Sequence, residues 1–311
     1  ADEIVESGIH LPEMLEVYQG WEETGNVDFL NVTVSTYKTG VMVIPPMGTP
    51  PRPFVWMAAE VKQVVDIPVL TAIKITDPQT AEEIIANDEA DMVAMTRATI
   101  CDPELPNKAK EGREDEIRLC MNCNEGCWGR CEQLMPITCV QNQEAGREGE
   151  LKICPATSHK RVMIVGGGVA GLTAARVAAT KGHDVILYDK GLELGGQTLV
   201  ASKAPLRADL MEAVRNLEKD LARLSVPIEL GTEVTEQMVL DQNPDHVIVA
   251  TGALPITEPT ADIVGPDLVL DIHPDAHVVS AWHVLRGEEE TGDRVLIYDV
   301  QSHNQGFTTA D

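Results

Sequence analysis

Positive charge is scarce in this sequence. The 311 residues include 24 Lys and Arg against 50 Asp and Glu, which gives a formal net charge of −26. A surface this acidic repels nucleic acids and anionic membranes, so we expect neither as a partner. The acidic residues are dispersed rather than blocked, which favours a strongly solvated surface over a dedicated acidic docking face.

Long apolar runs and a targeting segment are also lacking. No stretch approaches the roughly 20 apolar residues of a membrane-spanning helix. The chain does not open with a charged and then apolar signal segment, so the cytoplasm is the expected location. Seven cysteines in a reducing compartment argue against a disulfide framework. Five of them fall between residues 120 and 139, and such crowding indicates a metal site.

The hydrophobic fraction of 43% is typical of a soluble globular protein, and the length allows two domains. Continuously apolar strands alternate with helices, which predicts an α/β fold with parallel sheets covered on both faces. The predicted helices cover residues 11–24, 54–66, 78–87, 104–113, 169–181 and 208–224. The predicted strands cover residues 27–35, 68–75, 90–96, 161–167, 184–189, 246–252 and 294–299.

A proline-rich segment, PPMGTPPRP at residues 45–53, interrupts this alternation. Its prolines exclude a helix or a central strand, so we predict a long loop after a strand's C-terminal end, where α/β folds build active sites. A plain rigid connector is the alternative. The chain opens without a strand before its first helix and ends where a helix should follow strand 294–299. We therefore interpret the sequence as a fragment of a longer polypeptide.

The crowded cysteines follow the spacing C-x2-C-x3-C-x11-C. The ligands that this spacing predicts are Cys120, Cys123, Cys127 and Cys139. Short spacings let one loop surround three corners of an iron–sulfur cluster, and a remote thiolate closes the fourth. Zinc is the main rival, although zinc ribbons usually pair two CxxC knuckles. Spacing alone leaves Cys131 open as the fourth ligand, and we expect Cys101 and Cys154 to be buried thiols.

A glycine motif follows in the second half of the chain. Gly166, Gly168 and Gly171 form G-x-G-x-x-G between a predicted strand and a predicted helix, where backbone N–H groups can approach a pyrophosphate. Asp189 ends the next strand, where a carboxylate would bind an adenosine ribose, although Asp is also common at strand ends. A second glycine turn at Gly196 suits close approach to the same cofactor. The motif predicts a bound adenine dinucleotide or ADP.

The order of these parts resembles the iron–sulfur flavoproteins of the 2,4-dienoyl-CoA reductase and trimethylamine dehydrogenase group, the multidomain relatives of old yellow enzyme. The resemblance spans nearly the whole chain and is most specific over residues 90–112, 116–127 and 137–148. It implies an FMN-binding TIM (β/α)8 barrel, a [4Fe–4S] segment and a Rossmann-type domain for FAD, or only ADP. The implied domains cover residues 1–118, 119–158 and 159–311, with a second nucleotide-binding unit starting at about 293.

The resemblance also assigns roles to individual residues. Arg97 matches the arginine that grips the FMN phosphate, and Thr96 would add a backbone contact. Lys74 lies near the end of the preceding strand, where its ammonium could contact the FMN phosphate as a point charge but not through two parallel hydrogen bonds. The positions where relatives touch FAD or ADP are Ala170, Asp189, Gln197, Arg207 and Val234. The x11 spacing of the family selects Cys139 over Cys131.

The loop after strand 27–35 carries the catalytic group in the family. Dienoyl-CoA reductases have a His there, whereas this sequence offers Tyr37 and Lys38. The Tyr37 hydroxyl could protonate an enolate-like carbon or position an amine, and Lys38 could stabilise negative charge. Two solvent-exposed loop residues without a catalytic role are the alternative.

The implied function is an oxidoreductase in which a small organic substrate exchanges a hydride with FMN and the cluster relays single electrons. Enoate or dienoyl-CoA reduction with NAD(P)H competes with amine dehydrogenation or demethylation that delivers electrons to an electron-transfer flavoprotein-like carrier. Residues 294–306 lack the G-x-G-x-x-G of an NAD(P)H site, which favours the amine branch slightly. A homo-oligomer is compatible with the sequence. From another class, a non-catalytic electron-transfer or zinc-binding module is the alternative.

Overall fold

The computed structural model of the protein describes residues 2–255, 269, 271–273 and 275–299. The chain divides into two compact units, one ending at Cys154 and the other beginning at Pro155. The cysteine-rich residues thus belong to the compact unit of the N-terminal part, and the domain boundaries near 118 and 158 stay predictions. Within the described residues, no helix combines the length and the apolar character needed to cross a bilayer.

The first unit contains a three-stranded parallel sheet. Its strands β1 (Leu30–Val32), β2 (Val69–Thr71) and β3 (Met92–Val93) lie in sequence order, with helices in the connections between them. The helices of this unit are α1 (Leu11–Glu23), α2 (Gly40–Val43), α3 (Val55–Lys62), α4 (Pro78–Ala86), α5 (Thr96–Cys101), α6 (Leu105–Lys110), α7 (Trp128–Glu132) and α8 (Glu148–Leu151). This alternation is that of β/α units, as predicted.

The core of the first unit lies between this sheet and its helices. Val69 on β2, Ala58 and Val61 on α3 and Ile84 on α4 are fully buried in one hydrophobic cluster. Helix α4 begins where the sequence favours a start, because the Asp77 carboxylate accepts a hydrogen bond from the N–H of Thr80 and Pro78 occupies the first turn.

The second unit contains a four-stranded parallel sheet in the order β6-β5-β4-β7. The strands are β4 (Arg161–Val165), β5 (Asp184–Tyr188), β6 (Ile228–Glu229) and β7 (His246–Val249). The helices are α9 (Val169–Thr180), α10 (Gln197–Ala201), α11 (Met211–Arg223), α12 (Glu236–Gln242) and α13 (Ala281–Arg286). The order reverses direction at β4, and ligands bind at such a switch point in open α/β sheets.

The core of the second unit fixes helix α9 against the sheet. Leu172 on α9, Leu221 on α11, Ile164 on β4 and Leu187 on β5 are fully buried in one cluster. Both central strands are therefore buried, as their continuously apolar sequences predict.

Most predicted elements are present, but the strands are shorter than their apolar runs. Only Leu30–Val32 of the run 27–35 pairs in the sheet, because pairing ends where the neighbouring strand ends. The strand predicted at 294–299 is wrong. Residues 295–299 are irregular, and Leu296 is 87% exposed. A strand needs a partner for its backbone groups, and no described strand pairs with this segment.

The end of α7 holds a leucine in a conformation that suits glycine. Leu134 has φ = +55° and is 96% exposed, and the following N–H bonds back to Arg130, as in a Schellman cap. We expect Leu134→Gly to stabilise the chain by about 1 kcal/mol, because the left-handed strain disappears without loss of packing. Chemical denaturation measures this gain. Leu134→Ala is the control, which keeps a Cβ and should change stability little.

Candidate functional site

The four predicted cysteine ligands line one cavity in the first unit. Cys120, Cys123, Cys127 and Cys139 surround it together with the side chains of neighbouring residues, among them Arg97 and Asn124. Each of the four thiols is half-buried. Cys120 and Cys123 lie in the irregular segment before α7, Cys127 directly precedes α7, and Cys139 follows it.

The three other cysteines lie elsewhere. Cys131 is exposed on α7 and Cys101 is fully buried on α5. Cys154 is exposed, so the prediction that it is a buried thiol is wrong. The reason is its position in the irregular segment after α8, which contributes nothing to either hydrophobic core.

Backbone conformation in the cysteine loop explains the residues between the ligands. Asn122 and Asn124 have φ of +54° and +61°, a left-handed conformation that Asn tolerates better than most residues. The N–H of Asn122 lies 3.4 Å from Cys120 Sγ, to which it donates. The C=O of Gly126 accepts from the N–H of Thr138 at 2.7 Å, and a Cβ on Gly126 would lie only 2.8 Å from the Thr138 oxygen. This close approach brings Cys139 beside Cys127.

The thiols differ in acidity because their neighbours differ. Burial raises the pKa of Cys120, and it raises the pKa of Cys123 to about 11. A hydrogen bond from the Cys101 thiol, helped by the N–H groups of Gln141 and Asn142, lowers the pKa of Cys139 to about 6 despite burial. The hydrogen bond to Cys139 and burial raise the pKa of Cys101.

The cysteines surround the cavity without converging on one point. Across the part of the chain that the structure describes, no three His, Cys, Asp or Glu side chains form a group that could hold a metal ion. A single zinc ion needs its sulfur ligands about 2.3 Å from a common centre. In a [4Fe–4S] cluster each thiolate instead binds through the shared cluster, so four separated sulfurs around a cavity suffice.

Arg97 and Lys74 both contact the proline-rich loop. The Arg97 guanidinium donates to the C=O of Pro45 at 2.8 Å and to Asn124 Oδ1 at 2.6 Å. The buried Lys74 ammonium donates to the C=O of Pro46 at 3.0 Å and to the C=O of Thr49. The predicted loop 45–53 is therefore held by two cations. Both predicted phosphate contacts are engaged with carbonyl groups in this structure.

Arg97 also lies against the cysteines. Burial lowers its pKa, and the electrostatic interaction with Cys120, Cys127 and Cys123 opposes this effect. The side chain therefore connects the proline-rich loop with the cysteine cavity.

The remaining predicted residues of the first unit lie on two segments. Tyr37 and Lys38 form a short 3₁₀ turn, Tyr37–Thr39, after β1. Lys38 is exposed, and the side chain of Tyr37 lies outside the described part of the structure. Thr96 is the exposed first residue of α5 and directly precedes Arg97.

In the second unit, two glycines of the motif are required by steric contact. A Cβ on Gly166 would lie 2.2 Å from the Ala250 oxygen, and a Cβ on Gly171 would lie 1.8 Å from the Gly166 oxygen. Gly168 precedes α9, and a Cβ there would meet no atom within 4 Å. No side chain caps α9, so its first N–H groups face a space that is open to a pyrophosphate.

Asp189 is held beside the glycine motif. Its carboxylate accepts hydrogen bonds from the N–H of Gly167 at 2.5 Å and from the N–H of Gly191 at 2.6 Å. These contacts fix the carboxylate at the end of β5 and next to the start of α9. This is the position in which an acidic residue meets the ribose of a bound dinucleotide.

Of the other predicted nucleotide contacts, some lie near the glycine motif and two lie in other loops. Gly196 has φ = +53° and packs on Gly168, while Gln197 donates to the C=O of Ala253 at 3.0 Å. Ala170 is exposed in the first turn of α9. Arg207 and Val234 are half-buried in loops before α11 and α12. The structure records no contact of either side chain with the glycine motif.

Several residues of these sites were not predicted from the sequence. Asn124 accepts a hydrogen bond from Arg97, and its Nδ2 donates to the C=O of Ile44 at 2.9 Å. The Cys101 thiol forms a hydrogen bond with Cys139. The asparagines of the cysteine loop carried a usable signal, because Asn tolerates the left-handed turns of such a loop. No local pattern announces the contact of Cys101, which comes from α5.

Comparison with known proteins identifies both units. The sequence profile of the NADH:flavin oxidoreductase / NADH oxidase family matches residues 49–116. The profile of the pyridine nucleotide-disulphide oxidoreductases matches residues 160–277.

Several known proteins are similar to this chain over nearly its whole length. The chain is 38% identical to the N,N-dimethylglycine/sarcosine dehydrogenase of Chromohalobacter salexigens, over 100% of this chain and 45% of that protein. It is 41% identical to the NADH oxidase of Thermoanaerobacter brockii, over 93% of this chain and 43% of that protein. A solved structure of 2-naphthoyl-CoA reductase in complex with 2-naphthoyl-CoA is 28% identical, with a TM-score of 0.82 over 94% of this chain and 43% of that one.

The chain spans less than half the length of these relatives. Two profiles match its two units in order, and the dehydrogenase and oxidase relatives cover almost all of it. By these matches, residues 49–116 belong to the NADH:flavin oxidoreductase / NADH oxidase family and residues 160–277 to the pyridine nucleotide-disulphide oxidoreductases.

Proposed function

We propose that the protein is an FMN- and [4Fe–4S]-dependent oxidoreductase that passes electrons between a small organic substrate, FMN, the cluster and a second nucleotide site or external carrier. The observation that carries this proposal is the cavity lined by Cys120, Cys123, Cys127 and Cys139. Backbone N–H groups donate to three of these sulfurs, and hydrogen bonds of this kind tune bound clusters.

The donor set fits a cluster better than zinc. All four ligands are sulfurs, which both groups accept. The described side chains offer no group for one ion, whereas the four thiols share a cavity. A cationic side chain beside three of the thiols suits the excess negative charge of a thiolate-bound cluster. Cys120, Cys123, Cys127 and Cys139 would hold it.

The second unit fits an adenine nucleotide. The uncapped start of α9 and the open space at Gly168 suit a pyrophosphate, and the fixed Asp189 suits a ribose. Either FAD or ADP meets these requirements, because both carry an adenosine diphosphate. Gly196 and Gln197 would lie along the same cofactor, and we propose Ala170, Arg207 and Val234 as further contacts.

The fit of FMN is less direct. Lys74 and Arg97 are engaged by the proline-rich loop, so a phosphate would have to share them with carbonyl groups. Ile73 and Lys74 have φ of +82° and +52°, and strained backbone of this kind concentrates at ligand sites. With Thr96, these residues mark the proposed phosphate end. Tyr37 and Lys38 are the proposed catalytic groups on the loop after β1.

When bound, a flavin exchanges a hydride with the substrate, and a cluster takes up or releases one electron at a time. The contribution of this chain is to hold four sulfurs, to fix the loop that borders them and to present the nucleotide cradle. Relatives named as dehydrogenases of N-methylated amino acids and as reductases both match this chain. Of the two, we favour oxidation of a small N-methylated amine, because residues 294–306 lack a second glycine motif.

The cluster is tested on anaerobically purified protein. We expect iron and acid-labile sulfide in equal amounts, and a broad visible absorption that dithionite bleaches. A colourless protein that contains zinc would instead support the zinc-binding module and reject the proposed electron relay.

The direction of the reaction is tested separately on the loaded protein. We expect sarcosine or dimethylglycine to bleach the flavin under anaerobic conditions, whereas NADH or NADPH should not support reduction of an enone such as cinnamate. Fast NAD(P)H-dependent enone turnover without bleaching by amines would assign the protein to the reductase branch.

A further inference from the structure

Arg97 is a charged side chain whose partners are neutral. Its guanidinium donates to the C=O of Pro45 and to the amide oxygen of Asn124. Among the described residues, no carboxylate forms an ion pair with it. Arg97 lines the same cavity as Cys120, Cys123 and Cys127, whose thiolate forms would supply the negative charge beside it.

A half-buried guanidinium without a counter-ion is unfavourable, because burial removes water that would solvate the charge. Neutral thiols do not offset this cost, whereas thiolates that hold a cluster do, in addition to the proposed FMN phosphate. Nη1 of the guanidinium makes both hydrogen bonds, which hold that end of the side chain beside the loop and the cysteine cavity. The cavity thus has a built-in cation at the place where a cluster would bring negative charge.

The charge of the whole chain makes this cation more significant. With a net charge of −26, the protein as a whole opposes the addition of an electron to an anionic cluster. A nearby positive charge that is partly shielded from water counteracts this effect at short range. Surface carboxylates are screened by salt over about 10 Å, whereas a half-buried neighbour is screened much less.

We propose that Arg97 raises the reduction potential of the cluster as an electrostatic partner of its thiolates, beyond the phosphate contact that the family resemblance implies. This inference rests on the proposed [4Fe–4S] site. Arg97 is a positioning residue here, because it acts through the cysteine sulfurs and through the loop at Pro45. Lys74 holds the same loop at Pro46 and Thr49 and is not one of the residues that line the cysteine cavity.

The test compares Arg97→Met, Arg97→Gln and Arg97→Lys in the intact, cluster-loaded protein. Iron and sulfide content reports whether the cluster is present, and an EPR-monitored redox titration reports its potential. We expect both neutral variants to lower the potential by about 59 mV or more, equivalent to a tenfold change in a one-electron equilibrium. Arg97→Lys should retain most of the potential. Lys74→Met is the matched control for a loosened loop and should leave the potential near that of the parent protein.

The outcomes separate this inference from the proposed function. If the parent protein contains no iron and sulfide, the proposed function fails. If the neutral variants keep both the cluster and the parent potential, the inference on Arg97 is overturned while the cluster stands. If the neutral variants lose the cluster but Arg97→Lys keeps it, the need for a cation is supported. Loss of the cluster in Arg97→Lys as well would show that shape rather than charge matters and would overturn the inference.

Discussion

Replacing Cys139 with alanine is expected to leave the protein without its [4Fe–4S] cluster, whereas the same change at Cys131 is expected to leave the cluster in place. Cys139 lines the cavity with the other three thiols, and Cys131 is exposed on α7. Each thiolate holds one corner of a cluster, so removal of a ligand opens the site to solvent and oxidation. Iron content should fall from about four atoms per chain to near zero in Cys139→Ala alone.

Cys131→Ala is a matched control, because it makes the same chemical change eight residues earlier in the same segment. A second variant is needed to test Cys101, because its thiol forms a hydrogen bond with Cys139 and could replace it as a ligand. If Cys139→Ala retains iron, Cys101→Ala/Cys139→Ala shows whether Cys101 has taken over. Loss of iron in Cys131→Ala together with its retention in the double variant would make Cys131 the fourth ligand.

The proposed cysteine ligands could be predicted from the sequence because the signal is local. Three of them fall within eight residues, and one loop suffices to bring these together. The fourth was selected over Cys131 only by the resemblance to the family, and the hydrogen bond between Gly126 and Thr138 explains physically how Cys139 approaches the loop. The glycine motif is local in the same sense, since Gly166 and Gly171 are required by contacts within one strand–turn–helix unit and its neighbouring strand.

The surroundings of the cysteines could not be predicted in the same way. Arg97 and Pro45 lie 52 positions apart, and Cys101 reaches Cys139 from a different element. Such contacts depend on how β/α units pack, for which a single sequence carries little information. The lengths of the strands could not be predicted for a related reason. An apolar run indicates which residues are buried, but pairing with a neighbouring strand determines where a strand ends. The irregular residues 295–299 are the clearest case.

The loop 45–53 shows how a local signal and a distant contact combine. Its prolines exclude regular structure and leave carbonyl groups without strand partners. Arg97 and Lys74 donate to these carbonyl groups, and Asn124 of the cysteine loop donates to Ile44, the residue before the loop. The composition predicts the loop 45–53. That the loop contacts residues of both proposed cofactor sites is shown only by these hydrogen bonds.

Replacing Gly171 with alanine is expected to disrupt the second unit, whereas Gly168→Ala should leave it folded and weaken nucleotide binding. A Cβ on Gly171 would lie 1.8 Å from the Gly166 oxygen, a backbone atom that cannot rotate away. Helix α9 would have to move off β4, at the cost of contacts made by Leu172 and Ile164. Overpacking of this kind costs about 3 kcal/mol or more.

At Gly168 the same methyl group meets no protein atom within 4 Å, and φ of −75° suits alanine. The expected loss of stability is about 1 kcal/mol or less, from the weaker N-cap. The methyl group would instead occupy the space proposed for the pyrophosphate, so ADP affinity should fall about tenfold or more, as expected for a lost close approach. Thermal unfolding and ADP titration calorimetry on the intact protein measure both effects. Unchanged ADP affinity in Gly168→Ala would place the nucleotide away from the start of α9, and a parent-like melting temperature in Gly171→Ala would show that helix and strand have room to separate.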